Sequence, residues 1–212
     1  MAIDKDDYKA GVLEQVAGNP AMSIGTAAIA AGFAATTPVA VFLPVLAGSM
    51  AGIRHSKRLE RFITDVSADL AGLDERLNGL EDSQYQVISD ALVSALHSLD
   101  HRKLDYLRLA IRNALDVEID PAHSAFVARA IRDISAEEAD FLFKIPLHTG
   151  IAFFESPPPG FMAVDPNSTD GDAVEGLLSL GLLHTVSGYG GSTMSLTRNA
   201  KVVCQLLDSP ES

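Results

Sequence analysis

The chain has 212 residues, a formal net charge of −12, one cysteine and no tryptophan. With 47% apolar residues it is too hydrophobic for a disordered chain, and a lone thiol rules out an internal disulfide. The acidic excess lies late, with 5 basic and 14 acidic side chains in residues 113–212, net −9, which argues against phosphate-backbone binding there.

Residues 1–18 are an N-terminal polar segment in which Asp4, Asp6, Asp7 and Glu14 outweigh Lys5 and Lys9. The 39 residues from Gln15 to Ile53 carry no charged side chain. As one straight helix they would reach roughly 58 Å, nearly twice the roughly 30 Å of a bilayer's hydrocarbon. An apolar helical hairpin over residues 19–53 suits the length better, with arms at 19–35 and 39–53 around the turn Thr36-Thr37-Pro38. Pro38 has no N–H to donate and disfavours helix at Thr37. Gly25 and Gly32 in the first arm, and Gly48 and Gly52 in the second, let helix backbones approach closely. Ser23, Thr26 and Ser49 are read as bonding to helix carbonyls rather than reacting. The arms sit at the lower limit for a full crossing, so the competing expectation is a hairpin buried in a soluble core.

Arg54, Lys57, Arg58 and Arg61 follow the apolar run at once. Basic residues favour the cytoplasmic side and contact anionic lipid head groups, which orients the C-terminal part towards the cytoplasm.

A helical domain is expected over residues 54–145. Its first feature is a heptad seam, Leu59, Ile63, Val66, Leu70, Leu73, Leu77 and Leu80, of the kind found in a coiled coil or on a bundle helix. Gly72 and Gly79 weaken it by about 1 kcal/mol each relative to Ala. Further helices are expected at 84–98, 101–116 and 121–133, the last opened by Asp120-Pro121. Ser135-Ala-Glu-Glu138 has the capping-box pattern for a short helix to about Ile145.

Residues 146–169 form a Pro-rich loop, with a short apolar run at Ile151 to Phe154 that reads as a strand. Residues 170–212 read as helix (Ala173 to Leu180), strand (His184 to Ser187), the turn Gly188 to Gly191, strand (Thr193 to Leu196) and helix (Arg198 to Leu207). That order is the layout of a winged-helix-like α+β module. The fold class is therefore mainly α, with a hairpin, a helical middle and this C-terminal module.

Candidate chemistry is sparse. His97 and His101 are four apart, with Asp105 four further on, but a solvated polar helix face is the better reading than a metal site. Cys204 lies between Val203 and Leu206 on an apolar helix face and reads as a structural thiol. His123, near Asp120, reads as a capping or packing residue. The Gly188–Gly191 turn with Arg198 and Lys201 is read as contacting protein rather than nucleic acid. No P-loop, dinucleotide fingerprint, nucleophile elbow or zinc spacing is present in the sequence. Neither an enzyme nor a cofactor nor a metal is expected.

Four short runs carry a resemblance: His123-Ser-Ala-Phe-Val127, Ile134-Ser-Ala-Glu-Glu-Ala139, Leu178-Ser-Leu-Gly-Leu-Leu183 and Ser195-Leu-Thr-Arg198. Together they resemble the Abi-alpha (abortive infection alpha) group of bacterial proteins over about residues 85–207. Asn199-Ala200 stands where such proteins often carry Phe-Gly. The resemblance implies a role in bacterial defence against phage and supplies no catalytic residue. The leading expectation is thus a membrane-associated, self-associating protein of the bacterial inner membrane whose C-terminal domain is cytoplasmic. The alternative is a soluble, cytoplasmic oligomeric interaction module. A winged-helix regulator binding nucleic acid is the weakest reading.

Overall fold

A computed structural model describes residues 56–153, 157, 159–188 and 191–209. The expected hairpin lies outside these residues. The chain divides into two compact units, residues 1–71 and 72–212.

Of the first unit, helix α1 (Ser56–Leu70) is described. Its apolar residues recur at helical spacing, and Leu59, Phe62, Ile63, Val66 and Leu70 are all buried within the single chain. The helix stops at Leu70, and the expected seam stops with it. Gly72 follows in the left-handed conformation at φ 81°, where a side chain would be strained, and this backbone turn ends the helical path. Leu73 precedes the five-residue helix α2 (Asp74–Asn78), which carries Leu77, and Leu80 lies beyond it. The heptad from Leu59 to Leu80 is therefore not one helix face.

In the second unit, α3 (Asp82–His97) is the central helix, packing against α4 (His101–Asn113) and α5 (Ser124–Asp133). Val87, Ile88, Ala91, Leu92, Ala95 and Leu96 form its buried face. The expected start of α5 at Pro121 moves to Ser124. Asp120 Oδ1 accepts from the Ala122 N–H at 3.0 Å, and this local turn competes with the first helical turn. The capping box at the start of α6 (Ala136–Leu142) forms as expected: Ser135 Oγ accepts from the Glu138 N–H, and Glu138 Oε2 accepts from the Ser135 N–H.

A 3-10 turn at Ile145–Leu147 leads into strand β1 (Gly150–Ala152). Strand β2 (Phe161–Ala163) pairs parallel to β1 inside the stretch expected to be loop. Helix α7 (Thr169–Ser179), strands β3 (Leu183–Gly188) and β4 (Gly191–Leu196), and helix α8 (Arg198–Leu207) complete the chain order. The sheet runs β2-β1-β4-β3, with β4 antiparallel to both neighbours. Helix α8 packs on α4 and α5, and α7 packs on α6. The helical middle and the C-terminal elements, expected as separate stretches, belong to one compact unit.

The end of α7 closes as a Schellman motif. The Leu182 N–H donates to the Leu177 carbonyl at 2.9 Å, with Gly181 between them at φ 68°. A Cβ on Gly181 would stand 2.9 Å from the Phe126 ring. Gly181→Ala is expected to lower stability by at least about 1–2 kcal/mol, the cost of left-handed backbone alone. Urea unfolding followed by circular dichroism measures this, and an unchanged midpoint would contradict the assignment.

Candidate functional site

Gly25, Gly32, Pro38, Gly48, Gly52 and Arg54 lie outside the described residues, as do Ser23, Thr26 and Ser49. Lys57 falls in the first turn of α1, and Arg58 and Arg61 are exposed on that helix. His97 ends α3 while His101 begins α4, so the two histidines and Asp105 do not share a helix face. Both histidines are exposed, and no group of potential metal ligands occurs among the described residues. His123 takes the N-cap position of α5, but its side chain does not cap the helix.

The polar side chains between helices hold the fold together in ways the sequence did not reveal. Arg102 on α4 reaches Glu137 and, at 3.0 Å, Asp140 on α6. Tyr106, one turn on from Arg102, donates its hydroxyl to Asp140 and stacks on Phe143 at 6.1 Å between ring centroids. Burial, and then the bond to Asp140, push the Tyr106 phenol well above its usual range. The Arg132 carbonyl, in the last turn of α5, accepts from Ser94 Oγ at 2.7 Å and from Lys103 Nζ at 2.9 Å. An ammonium is well placed at a helix C-terminus, although burial lowers the Lys103 pKa. Asn113 Nδ2 donates to the carbonyls of Leu206 at 3.0 Å and Asp208 at 2.8 Å, satisfying groups that the end of α8 leaves without helical partners.

A separate feature is a partly open cleft of about 170 Å³ where the start of α5 meets the start of α8. Ile119 and Val127, both buried, give it an apolar floor, joined by Val202. Its polar wall comes from Glu118, Asp120 and His123 on one side and Arg198 and Asn199 on the other. Thr197 caps α8 by accepting from the Ala200 N–H at 3.2 Å. It thereby holds the first turn, with Arg198 and Asn199, against the cleft. Among the described residues, Arg198 and Glu118 form no ion pair. Asp120 approaches His123 at 4.0 Å. His123 and Arg198, 75 positions apart, thus line one cleft.

Comparison with family models, with curated proteins and with solved structures finds no match. The four runs that carried the family resemblance have concrete structural places. Ser135 and Glu138 form the capping box, Gly181 ends α7 beneath Phe126, and Thr197 begins α8.

Cys204 on α8 is half-buried, and burial pushes its thiol up to about 11, with the nearby Asp208 carboxylate adding to the effect. The thiolate is the nucleophile, so alkylation by iodoacetamide should accelerate about tenfold per pH unit with no plateau below about pH 10. A plateau near pH 9 in the folded chain would show an ordinary, exposed thiol.

Proposed function

We propose that this chain is a non-enzymatic, membrane-associated bacterial protein that acts in phage defence through its apolar N-terminal hairpin. Residues 72–212 serve as a cytoplasmic head that senses a partner. The observation that carries the reading is the 39-residue uncharged stretch ended by Arg54, Lys57, Arg58 and Arg61. Arg58 and Arg61 are exposed on α1, as side chains facing lipid head groups must be. No helix among the described residues is long and apolar enough to cross a membrane, which leaves the hairpin as the membrane element of the proposal.

The head has 10 basic and 21 acidic residues, net −11. Such a surface repels nucleic acid and anionic lipid and favours a basic protein partner. We read α7, β3, β4 and α8 as a winged-helix-like module used for protein contact. The defence role rests on the motif resemblance in residues 85–207.

The full chain should sediment with bacterial inner membranes, stay there after a high-salt wash and require detergent for release. Replacing Gly48 and Gly52 together by Leu should keep it in the membrane fraction but abolish protection in a phage challenge. Full recovery in the supernatant without detergent would refute the membrane reading and select the soluble oligomeric module.

A further inference from the structure

The sheet ends in two edges that differ in their protection. Strand β2 spans only three residues and stands among prolines, with Pro157 and Pro159 before it and Pro166 after it. Short length and proline are two of the ways in which an edge is kept from pairing with another chain. Strand β3, at the other end of the order β2-β1-β4-β3, has six residues and neither device. It holds no Asp, Glu, Lys or Arg, and its register with β4 runs without a bulge from Leu183 to Gly188.

One bond shows which backbone groups stand on that edge. The Thr197 N–H donates to the Leu182 carbonyl at 3.0 Å, so Leu182 turns its carbonyl towards the chain of β4. Alternation along an antiparallel strand then directs the polar groups of His184, Val186 and Gly188 to β4, and those of Leu183, Thr185 and Ser187 outwards. Leu183 is buried, which leaves Thr185 and Ser187. Their N–H and C=O groups have no backbone partner among the described residues. Between them Val186 is 42% exposed, one of four large apolar residues left exposed among the described residues.

We propose that this edge pairs with the same edge of a second copy, antiparallel and centred on Val186. In that register Thr185 exchanges both of its backbone bonds with Ser187 of the other copy, and Ser187 does so with Thr185, so every open group named above is satisfied. The two Val186 side chains meet as a close, non-hydrogen-bonded pair of β-branched residues. Because β3 carries no charged side chain, no like charges face each other across the join. A basic segment is the competing occupant, drawn by the net −11 of residues 72–212, but β3 has no carboxylate to select it. Salt separates the two. Screening relieves the repulsion between two acidic copies and strengthens their pairing, whereas it weakens the hold on a basic segment. The inference does not depend on the membrane reading, since pairing is read on the full chain in whichever fraction it is recovered.

The test is oxidative cross-linking of the purified full-length protein, carrying Cys204→Ser and one added cysteine. Directly opposed residues of a non-hydrogen-bonded pair have Cα atoms about 4.5 Å apart, within the range of a disulfide. Val186→Cys should therefore yield a covalent dimer on a non-reducing gel. Thr185→Cys is its neighbour and equally solvent-facing, but in this register the two copies of residue 185 are diagonal, at about 7–8 Å, which a disulfide does not bridge. It should cross-link at least about tenfold more slowly, as should Glu118→Cys, an exposed position outside the sheet. The rate for Val186→Cys should hold or rise between about 0.05 M and about 0.5 M salt. Unchanged circular dichroism verifies that each variant is folded. The proposal is overturned if Val186→Cys reacts no faster than Glu118→Cys, if Thr185→Cys reacts as fast as Val186→Cys, or if salt suppresses the reaction.

Discussion

Helix α7 and helix α8 are tied together by two residues sixteen positions apart. Gly181 turns the chain out of α7, and its carbonyl accepts from Thr197 Oγ1 at 3.1 Å. The same hydroxyl oxygen accepts from the Ala200 N–H and starts α8, while the Thr197 N–H donates to the Leu182 carbonyl at 3.0 Å. The β3–β4 hairpin is the loop that this clasp closes. Phe126 lies against Gly181 and brings α5 to the same point, with the Arg129 guanidinium 5.5 Å from its ring centroid. Without a left-handed turn at residue 181, the end of α7, the root of the hairpin and the start of α8 would lose their common origin. The cleft, built from the first turns of α5 and α8, would lose one wall.

The C-terminal ends of α5 and α8 are satisfied by long-range side chains, whereas other helix starts are capped locally. Asn113 serves α8, Ser94 and Lys103 serve α5, and the Ser135–Glu138 pair serves its own helix. Glu138 does a second job, since its carboxylate lies over Gly176 and occupies the space where a side chain on α7 would stand. The two helices approach closely because one residue at the crossing has no Cβ. Such contacts exchange water for protein partners and contribute modestly one by one. Leaving a helix-end carbonyl buried and unpaired would cost more than each bond gains.

What could be read in the sequence follows from range. The capping box at Ser135 and the helix from Arg198 to Leu207 depend on neighbours a few residues away, and both appear in the structure as read. The β3–β4 hairpin was equally local. Strand β2 has only three residues, too few for any periodicity, and it forms because β1 offers it an edge. The Leu59–Leu80 seam misled for the opposite reason. Its apolar spacing continues through a glycine whose backbone does not. Of the cleft, His123 and Arg198 had drawn notice singly, yet nothing local joins residues 75 positions apart, and Glu118 gave no signal at all. Asn113 was equally silent, because its partners lie more than 90 residues later.

That last contact has a bearing on how the protein is made. Helices α3 to α6 leave the ribosome before α8, so the faces of α4 and α5 that α8 covers stay open until residue 207 has emerged. Closure by Asn113 waits longer still, for the carbonyl of Asp208. Contacts of such long sequence separation form late, since the intervening chain must be ordered before they contribute. Most of the acidic unit is therefore synthesised before the helix that closes it.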